Sequence, residues 1–244
     1  MILTVPDNNY SIQSCTYVVI WKKPLTTIPP LSTDFFKRLF QVEELEYGFS
    51  QQGLTVVLPQ PNTLHYQGDA PNETIFQIRP APTLLIGYQQ MTFFHLDVNK
   101  LFSAYEGLVN ELKNKYNAFY MSMLSGKIGI NIEYFIKLVD GESTQKFFKE
   151  RFLCNNDSSL EAFGFIDTAF QEVNIQLIEP GNDKLMQIKI QPLAGRTNEL
   201  YILSNDHYGI SPSENIFTID QLKSYIDKSI GKMKTQVIPY LTNN

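Results

Sequence analysis

Cysteine is scarce in this chain, with Cys15 and Cys154 the only two among 244 residues. Two thiols in a chain of this length are typical of a reducing compartment, so we expect no structural disulfide. Histidine is equally scarce, with His65, His95 and His207 far apart in the sequence. This spacing excludes zinc sites built from closely spaced ligands, and we predict neither a metal nor a cofactor.

Long apolar runs are also absent. The best stretches, such as Tyr17 to Trp21, fall far short of the roughly 18 residues that a membrane-spanning helix needs. The first residues lack the basic segment and apolar block of a secretory signal. Together these features predict a cytoplasmic protein without a membrane partner.

Arginine is the third residue type in short supply. The chain has four arginines among its 20 basic residues and a formal net charge of −5. A chain with a net negative charge lacks the excess of positive charge that binds the phosphates of duplex DNA. Nucleic acid is therefore not the favoured partner. One local lysine cluster occurs near the C-terminus, at Lys223, Lys228, Lys232 and Lys234. A solvated helix face explains it, and a basic patch for RNA is the alternative.

Catalytic motifs are missing as well. The glycine-rich phosphate loops and the nucleophile elbow do not occur, so the common kinds of nucleotide-binding and hydrolase function lose most of their support. The remaining candidates are Asp206 and His207, in a predicted loop, because an aspartate could orient an imidazole that acts as general base. Adjacent residues in an extended segment point apart, so a solvated turn is the preferred interpretation. Tyr66 and Tyr208, also in predicted loops, are candidates for partner contact.

What is present is a rich alternation of strand and helix patterns, with 43% hydrophobic residues. Periodicity and turn residues predict strands at 14–21, 44–50, 54–58, 73–79, 83–89, 127–138, 172–178, 184–191 and 199–203. Helices are predicted after Ser32, from Asp97 to Tyr116, from about Ser143, and from Ile219 to Val237, where Pro239 ends the last one. Residues 59–72 and 204–215 are predicted to be loops.

These patterns predict a single α+β domain over residues 1–244, mainly an antiparallel sheet packed by two long amphipathic helices. Each half of the chain shows strands that lead to a long helix. The chain is therefore also compatible with two intimate halves, 1–116 and 117–244, each a copy of a duplicated α+β, ferredoxin-like unit.

Four short stretches form a recognisable pattern: 76–78 through 84–86, 88–112, the strand Ile128-Gly129-Ile130-Asn131, and the closing helix 222–237. In this pattern the chain resembles a sporadically distributed family of uncharacterised bacterial proteins of about 250 residues. The family pattern places an arginine in the strand before the asparagine, where this chain has Lys127 and Ile130. The patchy distribution of the family resembles that of mobile-element and phage-defence genes, which implies an interaction or regulatory role.

Three functions follow as hypotheses. The leading one is a non-enzymatic interaction or regulatory protein with a protein partner or a second copy of itself, because amphipathic helices and aromatic strands occur without a reactive constellation. The second is an RNA-binding or RNA-processing protein of the ferredoxin-like kind. The third is a hydrolase that uses His207.

Overall fold

The computed structural model describes residues 10–61, 64–67, 69–70, 74–77, 79–138, 142–152, 173–178, 185–209 and 218–242. The protein is α+β, and its centre is a nine-stranded antiparallel sheet with the order β2-β3-β6-β7-β1-β8-β11-β10-β9. A separate two-stranded sheet pairs β4 with β5. The strands are β1 (Tyr10–Trp21), β2 (Glu46–Ser50), β3 (Gly53–Val57), β4 (Leu64–Gln67), β5 (Thr74–Gln77), β6 (Thr83–Gly87), β7 (Gln90–His95), β8 (Ser125–Lys137), β9 (Val173–Ile178), β10 (Leu185–Pro192) and β11 (Glu199–Gly209).

Side-chain caps fix where the main helices begin. Ser32 accepts a hydrogen bond from the backbone of Phe35, Asp97 caps the longest helix, and Thr218 forms a reciprocal capping box with Gln221. The helices are α1 (Thr33–Phe40), α2 (Val98–Lys115), α3 (Asn117–Ser122), α4 (Thr144–Phe152), α5 (Ile219–Lys232) and α6 (Ile238–Thr242), with a π-helical segment at Met233–Val237 between the last two.

Three helices pack on one face of the large sheet. Phe40 of α1 makes an edge contact with Phe93 of β7, with ring centroids 5.8 Å apart. Tyr105 of α2 lies edge-on to Tyr17 of β1 at 5.5 Å. Strand register places Phe93 opposite Tyr17, so both side chains belong to the same face.

Helix α5 packs on this same face of the sheet. Tyr17 lies opposite Ile130, which lies opposite Asp206, and Tyr208 two residues further on contacts α5. The buried core therefore forms between this face and the helix layer.

The two halves of the sheet have the same relation between strand position and chain order: the first strand of each half is central, and the last strand of that half lies next to it. In the first half β1 is followed outward by β7, β6 and β3, and in the second half β8 is followed by β11, β10 and β9. The two central strands pair with each other antiparallel. The Asp69 carboxylate accepts hydrogen bonds from the backbone and the hydroxyl of Thr197, which ties a first-half loop to the second half.

The structure corrects three expectations from sequence. Strand β11 continues through Gly209, so residues 204–209 of the predicted loop are strand. The predicted loop at 59–72 contains β4. Pro239 does not end the C-terminal helix, because the π-helical segment Met233–Val237 leads without a break into α6, which contains Pro239.

Some predicted features lie outside the described residues, namely Cys154 and the turn at 180–183. In the described part of the chain, no helix is both long enough and apolar enough to cross a membrane.

Candidate functional site: the open face of the sheet

The face of the large sheet opposite α1, α2 and α5 carries side chains that remain partly exposed from edge to edge. We call it the open face. The strand register aligns one residue from each strand along a line perpendicular to the strands. From one edge of the sheet to the other, these residues are Glu46, Val57, Thr83, Phe94, Thr16, Asn131, Asn205, Gln187 and Gln176. Each of these side chains is half-buried or exposed. The open face is thus a continuous surface that all nine strands build.

Amide side chains dominate the second-half part of this line. The Asn205 amide donates to Gln187 Oε1 over 3.4 Å, and its Oδ1 lies 2.8 Å from His207 Nε2. Asn131, directly opposite Asn205, has an Oδ1 that is shielded from solvent and has no hydrogen-bond partner among the described residues. A shielded acceptor without a partner costs free energy, and a bound molecule with a donor would recover it.

Two aromatic side chains, Tyr201 and Phe135, and the acidic side chain of Glu133 lie beside the amides on the same face. The Tyr201 hydroxyl donates to Glu133 Oε1 over 3.0 Å, across the β11–β8 pair. The rings of Tyr201 and Phe135 meet at a steep angle with centroids 6.3 Å apart. Half-buried aromatics beside amides are a composition that protein interfaces favour.

The open face carries no excess of positive charge. Its described strand positions hold three glutamates and three lysines, at Glu46, Glu133, Glu199, Lys127, Lys137 and Lys189. These formal charges cancel. A balanced surface of this kind lacks the cationic footprint that a phosphate backbone requires.

Asp206 and His207 lie on opposite faces of β11, as strand alternation dictates. His207 is exposed on the open face, where its imidazole contacts Asn205. Asp206 is 1% exposed beneath α5. The structure does not bring the two side chains together as an aspartate–histidine pair.

Asp206 belongs to a buried polar group in the helix layer. The Tyr208 hydroxyl lies 3.4 Å from Asp206 Oδ2 and 2.9 Å from Ser229 Oγ of α5. Burial raises the pKa of the Asp206 carboxyl, while the hydrogen bond with Ser229 and the nearby charge of Lys232 lower it in part. The other oxygen, Oδ1, has no hydrogen-bond partner within the described residues.

Three of the four predicted lysines lie over tyrosine rings. Lys228 Nζ is 5.0 Å from the ring centroid of Tyr225, Lys232 Nζ is 5.3 Å from that of Tyr208, and Lys234 Nζ is 5.8 Å from that of Tyr10. At these distances an ammonium group is attracted to the ring. Lys223 is exposed on α5.

The two candidate tyrosines have different settings. Tyr208 is 3% exposed, so it is part of the core and not of an exposed loop as predicted. Tyr66 is placed in β4, opposite Ile75 of β5.

Asn205, Asn131 and Gln187 are site residues that the sequence alone did not single out as functional. Their sequence signal is the alternation within β8, β10 and β11, which places all three on a common face once the pairing of these strands is known.

No His, Cys, Asp or Glu group of three or more within the described ranges is arranged to hold a metal ion. Comparison of the chain with protein-family models, with curated proteins and with solved structures gave no match.

Proposed function

We propose that this protein is a non-enzymatic interaction protein that recognises a protein partner through the open face of its sheet. The observation that carries the proposal is a continuous, partly exposed face of nine strands that combines amides, aromatics and balanced charge. Main-chain groups within a sheet already pair with one another, so recognition on such a face falls to its side chains. Asn131, whose shielded Oδ1 has no hydrogen-bond partner in the described part of the chain, lies in the middle of that surface.

Charge favours a protein over RNA as the partner. The lysines and glutamates of the open face cancel, and three lysines of the C-terminal segment lie over tyrosine rings. RNA binding on the sheet would call for cations beside the stacking aromatics. The separation of Asp206 from His207 likewise gives no support to a hydrolase.

The strand order supports a duplicated α+β unit as the origin of this face. In the described residues each half runs as a long central strand, a short helix, antiparallel strands placed successively toward the centre, and a longer helix. This order differs from the ferredoxin-like one, in which the second helix is followed by another strand. On this proposal α2 and α5 are the equivalent long helices, and the open face joins the two copies. A regulatory role in bacterial mobile-element or phage defence rests on the family resemblance alone.

The experiment compares capture of partners by tagged wild type and by the double variant Asn205→Arg with Gln187→Arg. Two arginines in place of Asn205 and Gln187 add bulk and charge to the open face without changing the core. We therefore expect the amount of captured partner to fall at least tenfold. The matched control is Asn110→Arg with Asn114→Arg, because both residues are exposed on α2 in the helix layer. The control should capture as wild type does.

Three results would contradict the proposal. They are equal capture by all three proteins, loss of the partner in the α2 control alone, and recovery of salt-sensitive RNA in place of a protein. Light scattering on the same samples determines whether the captured partner is a second copy of the chain.

A further inference from the structure

A cavity lies beside the sheet, where the C-terminal end of α1 meets the first turns of α2. Its volume is ≈ 400 Å³, within the range of small-molecule sites. Its walls include Leu39, Phe40, Val42, His95, Lys100 and Ser103. The site is separate from the open face, since His95 belongs to the face of the sheet that the helices cover.

His95 forms the buried polar part of the wall. The side chain is 8% exposed, and its Nδ1 accepts the backbone N–H of Asp97 over 2.9 Å. Because Nδ1 is an acceptor, the neutral ring carries its proton on Nε2. Nε2 has no hydrogen-bond partner among the described residues, although the ring lines a cavity. The imidazole therefore offers an unused donor to whatever occupies the space.

The exposed rim adds further donors from α2. Lys100 and Ser103 are three residues apart and lie on the same side of the helix, next to Asn99. The carboxylate of Asp97 caps α2, since its Oδ1 accepts the backbone N–H groups of Asn99 and Lys100 over 2.8 and 3.3 Å. Among the described residues, no acidic side chain lines the cavity. Its polar part thus combines donors with one positive charge, at a helix end that favours anions.

The opposite wall is apolar. Leu39, Phe40 and Val42 are half-buried, and Ala104 is buried. Inorganic phosphate would leave these side chains uncovered, whereas an organic acid would cover them and also reach the donors. The side chains that line the cavity therefore favour an anion that also carries a hydrocarbon group.

We propose that this cavity binds a small organic carboxylate, with its carboxylate between Lys100 and His95 Nε2 and its hydrocarbon portion against Leu39, Phe40 and Val42. The site is independent of the open face and of the partner proposed for it. Ser103 completes the polar side, because its hydroxyl can donate to the second carboxylate oxygen.

The test uses benzoate and hexanoate as probes, with benzamide as the neutral counterpart of benzoate. NMR titrations of the full chain at constant ionic strength follow the imidazole proton signals of His95 and the backbone amides of α2. For ligands of this size we expect Kd on the order of 1 mM. Benzamide should bind roughly tenfold more weakly, because it cannot form the charge-assisted bond with Lys100.

Two variants locate the effect. Lys100→Gln and Ser103→Ala change exposed side chains, so both should fold, and Lys100→Gln should weaken benzoate roughly tenfold. The matched control is Lys115→Gln, an exposed lysine at the far end of the same helix, which should bind benzoate as wild type does. The proposal is overturned if benzoate leaves the His95 signals unchanged, if benzamide binds equally well, or if Lys100→Gln and Lys115→Gln have the same affinity.

Discussion

Replacing Asp206 by Asn should stabilise the protein at neutral pH. The aspartate side chain is 1% exposed beneath α5, and one of its oxygens has no hydrogen-bond partner among the described residues. Burial raises the pKa of its carboxyl above the ordinary value of 3.8. The charged form therefore opposes folding, and asparagine keeps the shape of the side chain without that charge.

The magnitude follows from what each side chain loses on burial. The aspartate loses the hydration of a charge, and the 3.4 Å contact from the Tyr208 hydroxyl, the hydrogen bond with Ser229 and the charge of Lys232 offset this loss only in part. The asparagine amide can donate to Ser229 Oγ, so it adds no large new penalty. We expect Asp206→Asn to raise the free energy of unfolding at pH 7.5 by about 1–2 kcal/mol, which corresponds to about 2–8 °C in Tm for a chain of this size.

The gain should depend on pH with a defined sign. Below 3.8 the carboxyl is protonated in both the folded and the unfolded state, so the ionisation of Asp206 costs nothing. As the pH rises from 3.8 to the raised folded-state pKa, the folded state holds the proton more tightly and the wild type loses stability. The difference between variant and wild type should therefore grow with pH across this window and then stay constant.

Urea denaturation at pH 3.5 and 7.5 measures this difference. Trp21 is the only tryptophan, is 5% exposed, and donates to the carbonyl of Gly87 over 3.0 Å, so its fluorescence reports on unfolding of the sheet. Subtraction of the wild-type value cancels the titration of all other groups. The reasoning is refuted if Asp206→Asn is less stable than wild type at pH 7.5, or if the difference between the two is the same at both pH values.

Three further predictions concern local structure. Gly53→Ala should lower the free energy of unfolding by about 1–3 kcal/mol, because φ is +135° and an added Cβ would collide with the Ile86 carbonyl. Urea denaturation measures this change, and Gly48→Ala, which has open space at its added Cβ, is the matched control. Thr218→Ala should cost about 1 kcal/mol in the same assay, because its hydroxyl accepts the first-turn hydrogen bond of α5, and an unchanged midpoint would contradict this. The buried Cys15 thiol, whose pKa burial raises to about 12, should resist iodoacetamide at pH 8 until the protein unfolds; peptide mapping that finds it labelled in the native protein would show the opposite.

Sequence patterns located most of the elements because their signals were strong. Asp97 and the apolar spacing after it predicted α2 within a residue, and Ser32 predicted the start of α1. Strand β11 was predicted too short, because Ser204 and Asp206 occupy inward-facing positions that usually hold apolar side chains. Asp206 belongs to a buried polar group with Tyr208 and with Ser229 of α5, and no local sequence pattern indicates the contact between Tyr208 and Ser229, which are 21 residues apart.

The candidate site was less accessible to sequence reasoning. The open face exists because register aligns Asn131, Asn205 and Gln187 across three strands, and register depends on pairings between distant parts of the chain. The cavity at His95 likewise combines α1 with α2. No sequence pattern around His95 indicates that its Nδ1 accepts a hydrogen bond while its Nε2, among the described residues, does not take part in one.

Side-chain footprinting of the complex is the most direct test of the central claim that the open face binds the partner. Hydroxyl radicals label Tyr201 and His207 on the open face, and Met121, which is 50% exposed on α3, serves as the internal reference. We predict that the captured partner reduces labelling of Tyr201 and His207 several-fold and leaves Met121 unchanged. Protection of Met121 with Tyr201 and His207 labelled as in the free protein would contradict the claim.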